Sequence, residues 1–322
     1  MSKEDINNEN LNNEKNNDLN LEVLYNIKDA YSNFYVGETF IVFESKDGIL
    51  SLIYTKSKNS IISFDLKNNK KINEIKSAHN NYIYNYRHCF DKNNQRDLFL
   101  SLSRNNDIKI WNFKNLECLI HIKDIYKYGN IYSACFFKDE KNNNKIYILT
   151  SNYYVGPDDN LKQPIKVFDL KGNKIKDINS SKGNNFYIDT YYDKKTDKYY
   201  ITGDVTSLQL NSYLFEENKI YKKYWCPNYP IYSHIIVERE NEILEKIVYL
   251  IEFTDCIRIW NFHTEDIIKT IDVDDQIYCG YFWNDEYLCI GCIMMVSYLL
   301  ISKMEKLLKK LNVRILFMLL KL

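Results

Sequence analysis

The chain has 322 residues, and its 43 basic and 43 acidic side chains give a formal net charge of zero at neutral pH. This balance argues against nucleic acid as a partner, because proteins that bind nucleic acid usually carry a basic excess. With 45% hydrophobic and 27% charged residues the sequence can bury a substantial core, which excludes wholesale disorder.

Residues 1–20 contain almost no apolar side chains and are predicted to form a disordered polar tail. This segment lacks the apolar run of a secretory signal, so we expect a cytoplasmic protein whose eight cysteines are reduced thiols. Cys289 and Cys292 have the spacing of metal ligands, but no second pair lies at a suitable distance. We therefore expect no metal and no other cofactor.

From Leu21 onwards, short runs rich in Ile, Tyr and Phe alternate with Asn, Asp, Lys and Gly. Isoleucine and tyrosine favour strands, whereas the polar residues and glycine favour turns, so the pattern predicts an all-β protein. Asn and Lys, which have A/T-rich codons, are abundant, whereas Gly, Pro and Arg, which have G/C-rich codons, are scarce. This bias is attributed to the base composition of the gene. Tracts such as 141–145 are therefore interpreted as loops whose asparagines are padding, that is, residues without a specific structural role.

One pattern recurs along the chain: two strand-like runs, a third run with an aromatic residue, a turn and a fourth run. These third-strand aromatic residues are spaced by 47, 57, 45 and 47 residues, and they are Phe64, Trp111, Phe168, Tyr213 and Trp260. The units are predicted at residues 39–75, 82–122, 131–178, 186–225 and 232–271, with a sixth beginning at Ile277. Four strands in about 45 residues is the period of a β-propeller blade.

Two of these units carry a family resemblance. Residues 103–112 and 255–261 resemble the repeat of the WD-repeat (tryptophan-aspartate repeat) family, whose consensus ends Ile-Lys-Ile-Trp-Asp. The pairs Phe64-Asp65 and Phe168-Asp169 are similar to common substitutes for Trp-Asp.

The resemblance covers residues 21–292 and implies a WD-repeat-like β-propeller in which the third-strand aromatic residues fill the space between blades. The repeats are degenerate. The family's Gly-His pair is represented only by Ala78-His79, and we expect no repeat to hold a complete Asp-His-Ser/Thr-Trp set.

The first apolar run is interpreted as a strand that closes the ring. Residues 21–31 match residues 116–126 at seven of eleven positions, and the second segment is the fourth strand of its unit. The first segment is therefore predicted to be a fourth strand donated to the last blade; an ordinary leading strand is the alternative. About six recognisable blades and this strand imply a ring of seven that is incomplete at its C-terminal end.

Residues 293–322 break the repeat pattern. One interpretation is an amphipathic helix that could lie on a membrane or a partner, with one apolar stripe formed by Leu300, Met304, Leu307, Leu311 and Ile315. When A/T-rich codons for residues 294–311 are read two bases further on, however, they encode a strand, turn and strand in the register of residues 255–271. We therefore predict that 293–322 is an out-of-frame translation of blade sequence and that the chain is truncated before its last blade.

The motifs of common enzymes are missing from the sequence. It contains no phosphate-binding Gly loop, Gly-x-Ser-x-Gly elbow or His-Glu-x-x-His motif, and its five histidines are widely separated. We therefore predict a non-catalytic scaffold or adaptor that binds other proteins or peptides. A truncated product with little function of its own and a propeller-fold hydrolase with carboxylates around its channel are the alternatives.

The candidate partner-binding residues are loop tyrosines. The longest insertion, residues 151–164, lies between the second and third strands of the third unit, and the resemblance places it on the same face as the loops between units. Tyrosines are frequent contact anchors in interfaces, and the candidates are Tyr126, Tyr128, Tyr153, Tyr154 and Tyr229.

Overall fold

The computed structural model describes residues 40–104, 106–153, 164–178, 188–206, 209–225, 231–239, 245–252, 256–272, 277–283, 287–292, 297–301 and 308–311. Within these ranges every helix or strand is a β-strand, as the sequence predicts. No helix in the described part of the chain is long and apolar enough to cross a membrane.

The described strands form six four-stranded sheets. The first two sheets hold β1 (Phe40–Glu44), β2 (Leu50–Lys56), β3 (Ser60–Asp65), β4 (Lys70–Ile75), and β5 (Ile83–Asp91), β6 (Arg96–Ser103), β7 (Asp107–Asn112), β8 (Glu117–Ile122). The third and fourth hold β9 (Asn130–Asp139), β10 (Lys145–Tyr153), β11 (Ile165–Asp169), β12 (Lys174–Ile178), and β13 (Asp189–Asp193), β14 (Lys198–Thr206), β15 (Gln209–Leu214), β16 (Lys219–Trp225). The fifth and sixth hold β17 (Ile231–Arg239), β18 (Glu245–Glu252), β19 (Cys256–Asn261), β20 (Ile267–Asp272), and β21 (Ile277–Trp283), β22 (Tyr287–Cys292), β23 (Ser297–Ile301), β24 (Leu308–Leu311).

Each sheet is an antiparallel meander in which the strands pair in chain order. The five units predicted from the sequence coincide with the first five sheets to within a few residues at each end, and the sixth begins at Ile277 as expected. The first strands of successive sheets lie side by side, with β1 next to β5, β5 next to β9, β9 next to β13, and β17 next to β21. The repeat prediction is therefore confirmed at the level of the sheets.

The predicted third-strand aromatic residues occupy equivalent positions in five sheets. They lie on β3, β7, β11, β15 and β19, and the register with the fourth strand shifts directly before each of them: Phe64, Trp111, Phe168, Tyr213 and Trp260. The residue that this shift leaves unpaired lies on the fourth strand, such as Ile72 between Lys71 and Asn73, so the fourth strand bends opposite the aromatic side chain.

These aromatic residues also pack in the same direction. Trp111 packs with residues of the first sheet, Phe168 with the second, Tyr213 with the third and Trp260 with the fourth. Neighbouring residues of a strand point to opposite faces, so Phe99 and Leu100 of β6 belong to the two different clusters on either side of the second sheet. Apolar side chains on both faces thus hold these sheets to their neighbours.

The sixth sheet corrects one interpretation of the C-terminal segment. The amphipathic helix considered for this region is wrong where the structure describes it, because 297–301 and 308–311 are strands paired with each other. Leu300 stands opposite Leu288, the register position that the aromatic residue takes in the other sheets, and the β23–β24 ladder has no shift. The out-of-frame origin of 293–322 stays a prediction, and residues 1–31, with the polar tail and the closing strand, lie outside the described residues.

The prediction that 141–145 is a loop is confirmed for residues 141–144, and the asparagines of such turns also have structural roles. In the hairpin between β9 and β10, Asn143 and Asn144 have φ angles of 51° and 52°. Asparagine tolerates this left-handed conformation better than most residues other than glycine, and the chain has only nine glycines. In the preceding sheet the carboxylate of Asp91 accepts hydrogen bonds from the backbone and side chain of Asn94.

Candidate functional site

A buried hydrogen-bond network connects the strands of the second sheet. The indole Nε1 of Trp111 donates to the hydroxyl of Ser101 at 2.7 Å, and the same hydroxyl lies 2.7 Å from Nε2 of His79. Nδ1 of His79 lies 2.9 Å from Oδ1 of Asp107, whose other oxygen is 3.0 Å from Nε2 of His121. These residues come from the loop before β5 and from β6, β7 and β8, so the network spans the sheet.

Burial fixes the proton positions in this network. His79 is 1% exposed, and burial lowers the pKa of its imidazole even though Asp107 acts in the opposite direction. Burial also opposes ionisation of Asp107, but hydrogen bonds and charge interactions with His79 and His121 outweigh it and lower the pKa of Asp107 to about 2. A neutral His79 therefore donates from Nδ1 to the Asp107 carboxylate and accepts at Nε2 the proton of Ser101, which in turn accepts from Trp111.

The connectivity of Asp107, His79 and Ser101 is that of a hydrolase triad, but the environment is not. Ser101 is completely buried and its oxygen already accepts the Trp111 N–H, so a substrate carbonyl has no path to it. The trio therefore fits a structural role, in which a fully satisfied polar network fixes one arrangement of loop and strands.

The expectation that no repeat holds a complete Asp-His-Ser/Thr-Trp set is wrong. Asp107, His79, Ser101 and Trp111 form such a set in the second sheet. The residues are present in the sequence, but the histidine precedes the first strand of its sheet, 28 residues from the aspartate. Ser101 is the member that the sequence interpretation overlooked. Pairing β6 with β7 in sequence would have identified it, because Ser101 then stands opposite Lys109, two residues before Trp111.

The third sheet replaces this network with a tyrosine. Lys109 donates from Nζ to the carbonyl of Ala78, directly before His79, and the corresponding Lys166 donates to the carbonyl of Ile125, directly before Tyr126. Tyr126 therefore takes the place of the histidine.

The Tyr126 hydroxyl lies 2.7 Å from the carbonyl and 2.9 Å from the hydroxyl of Thr150, which is the register equivalent of Ser101. It also lies 3.2 Å from the carbonyl of Pro164. The Nζ of Lys166 stands 4.5 Å from the centre of the ring. One aromatic side chain thus contacts both the equivalent of Ser101 and Pro164, which stands four residues before Phe168 as Asp107 stands four before Trp111.

Asparagines tie the two loops between the first three sheets to the sheet before each of them. Asn59, in the β2–β3 turn, donates its amide to the carbonyl of His79 at 2.9 Å. In the β6–β7 turn, Asn106 donates to the carbonyl of Gly129 at 2.8 Å and accepts the N–H of Ile131 at 2.7 Å. The loops between the first three sheets are thus held by side chains of neighbouring turns.

The structure gives the exposure of two of the five predicted contact tyrosines. Tyr126 is only 3% exposed, so its prediction as an accessible contact residue is wrong for this conformation. Tyr128 is half-buried, and the Nζ of Lys127 stands 5.2 Å from its ring centre. Tyr153 is the last residue of β10, with no described side-chain position, and Tyr154 and Tyr229 lie outside the described residues.

One end of the first three sheets presents a continuous set of loops, which we call the loop end: residues 56–59, 76–82, 103–106 and 123–130, described except for residue 105. Backbone hydrogen bonds join its segments, from Ile83 N–H to the carbonyl of Lys58 and from Arg104 N–H to the carbonyl of Tyr82. Tyr82, half-buried with the Nζ of Lys58 5.0 Å from its ring centre, is a candidate contact residue that the sequence interpretation missed.

Comparison of the sequence with models of known protein families finds no match, and a comparison with curated proteins also finds none.

The buried histidine makes stability depend on pH. His79 in the unfolded chain takes up a proton near pH 6.5, whereas the folded protein resists it until lower pH, so stability falls as pH drops below about 6.5. Asp107 acts with the same sign at lower pH, between the ordinary aspartate pKa of 3.8 and its own pKa of about 2. We expect the slope due to His79, at most about 1.4 kcal/mol per pH unit, to be missing in a His79→Gln variant. Urea unfolding at pH 5 to 7 measures it; parallel curves for the two proteins would contradict the assignment.

Proposed function

We propose that this chain is a WD-repeat-like β-propeller that acts as a non-catalytic scaffold or adaptor and binds another protein or peptide at its loop end. The observation that carries the proposal is the network of Trp111, Ser101, His79 and Asp107, which belongs to the set that the WD-repeat resemblance implies. It is buried beneath a loop, where it stabilises the surface without offering a reactive group.

The packing of the sheets supports a ring. Each third-strand aromatic residue from the second to the fifth sheet faces the preceding sheet, and Phe64 belongs to the corresponding face of the first. That face also contains Leu52 and Ile62, each only 2% exposed. A ring that returns to the first sheet would cover this face; because the sixth sheet has its own fourth strand, β24, the strand predicted at 21–31 would belong to a further blade.

Loops held by buried networks favour a binding function. Rigid loops lose little conformational entropy when a partner binds, and propellers commonly use such surfaces to bind proteins or peptides. Tyr82 and Tyr128 are half-buried on the loop end, each beside a lysine, so both offer an aromatic face and a positive charge to a partner.

The test is affinity capture with cross-linking, followed by binding measurements on the captured protein. We expect a reproducible protein partner whose affinity falls about tenfold or more in a Tyr82→Ala/Tyr128→Ala variant, since anchors of this type contribute on the order of 1–2 kcal/mol each. Ile175→Ala is the control, because Ile175 is 49% exposed near the start of β12, at the opposite end of its sheet from the loop end. Failure to find a partner, or equal losses in the two variants with unchanged unfolding midpoints, would contradict the proposal.

A further inference from the structure

The two ends of the first sheets differ in charge although the chain as a whole is neutral. The described loop end has one acidic residue, Asp124, against six basic residues: Lys56, Lys58, Lys76, Arg104, Lys123 and Lys127. The opposite end of the first two sheets, which we call the turn end, consists of residues 44–49, 65–70, 91–96 and 112–117. It has six basic residues and five acidic ones: Glu44, Asp47, Asp65, Asp91 and Glu117.

The basic residues of the loop end are placed for contact with a ligand. Lys58, Lys76, Arg104, Lys123 and Lys127 are all exposed. They lie on segments that hydrogen bonds hold together, because the 103–106 turn bonds to the carbonyl of Tyr82 on one side and to that of Gly129 on the other. Asp107, the carboxylate that directly follows the 103–106 turn, is 7% exposed and already bonded to His79 and His121.

From this arrangement we propose that the partner segment bound at the loop end is an acidic peptide with aromatic or large apolar side chains. The inference rests on the proposed function and adds the chemistry of the ligand. Carboxylates would pair with the exposed lysines and Arg104, which favours association and orients the segment. Its apolar side chains would pack on the faces of Tyr82 and Tyr128, which already lie beside cations.

A peptide fits this surface better than a nucleic acid. Its basic residues are interleaved with half-buried tyrosines and surround short turns, and the chain has no overall basic excess to hold a long phosphate backbone. Single-stranded DNA is nevertheless the competing ligand class that a test must include, because bases also stack on tyrosine.

The experiment measures fluorescence anisotropy of a labelled peptide of Asp, Glu and Phe on the full chain. A peptide with Gln and Asn in place of the acids and an oligothymidylate of similar length are the comparison probes. We expect the acidic peptide to bind most tightly and its affinity to fall as salt increases, since salt screens exposed charges.

The decisive comparison uses two variants with the same change of net charge. In the first, Lys58, Arg104, Lys123 and Lys127 of the loop end are replaced by Glu; in the second, Lys67, Lys70, Lys92 and Lys114 of the turn end are. We expect the first variant to bind the acidic peptide at least about tenfold more weakly, because four attractions become repulsions, and the second to stay within about twofold of the original chain. If the first variant does not fold, Lys58→Glu and Lys127→Glu alone should each weaken binding by about twofold or more.

Three results would overturn the inference: equal losses in the two variants, no binding of the acidic peptide by the original chain, or tighter binding of the oligothymidylate. The proposed function would survive these results if the captured partner still requires Tyr82 and Tyr128. Loss of both the captured partner and the peptide would remove both proposals.

Discussion

Replacing Ser101 by alanine is expected to lower the free energy of unfolding by about 2–3 kcal/mol. The hydroxyl serves two buried groups, the indole N–H of Trp111 and Nε2 of His79, and its removal leaves both without a partner. An unsatisfied buried donor or acceptor costs about 1–3 kcal/mol, whereas the lost hydroxyl itself contributes little apolar packing. Urea unfolding followed by fluorescence or circular dichroism measures the change.

Ser103 provides a matched control on the same strand. It is completely buried like Ser101, two residues away, but its hydroxyl oxygen has no hydrogen-bond partner among the described residues. Ser103→Ala should therefore leave stability within about 0.5 kcal/mol or increase it, because it removes a buried polar atom that gains nothing in the folded state. A comparable loss from both substitutions would show that β6 is merely sensitive to change and would contradict the role of the network.

Replacing Tyr126 by alanine is expected to have the largest effect, a loss of about 3–5 kcal/mol. The substitution empties a buried aromatic site and removes the hydrogen bonds that the hydroxyl makes with Thr150 and Pro164. Tyr126→Phe keeps the ring and should lose only about 1–2 kcal/mol, the contribution of those hydrogen bonds. Both values are accessible from urea unfolding of the purified variants.

The neighbouring Tyr128 is the control for this prediction. It is half-buried and its ring lies beside Lys127, so Tyr128→Ala should cost less than about 1 kcal/mol. The two tyrosines thus separate stability from binding on one loop. A Tyr126→Ala variant with unchanged stability and weakened partner binding would restore Tyr126 as a surface contact and contradict the burial argument.

The sheets could be predicted because their signals are local. Alternating strand patterns and the returning aromatic positions, such as Trp111 and Trp260, each occupy a few consecutive residues, and the meander pairs strands in chain order. The two tryptophans nevertheless differ in surroundings that no local pattern reveals. Trp111 donates to Ser101. In the fifth sheet the ladder position of Ser101 is taken by Leu250, and the N–H of Trp260 has no partner among the described residues.

The site was less predictable because it depends on distant residues. Tyr126 lies in a loop, and loop tyrosines are expected at the surface; its burial depends on Thr150, 24 residues further along, and on Pro164, 38 residues away. The acceptors that its hydroxyl meets there come from β10 and from the segment that leads into β11. Asn106 is a similar case, since its φ of 55° and its hydrogen bonds to the following loop are invisible in an asparagine-rich composition.

The chain-order pairing of strands has a consequence for synthesis of the protein on the ribosome. Every described sheet completes its ladders within a single stretch of about 35–50 residues, which takes roughly 2–10 s to emerge at about 5–20 residues per second. A hairpin forms in about 1–10 μs, so each meander can form long before the next is made. Until then, the face that will pack on the following sheet, such as Leu98, Leu100 and Ile110 of the second, has no permanent cover. The nascent chain therefore presents a new apolar surface every few seconds, which is the stage at which chaperone binding or aggregation would compete with folding.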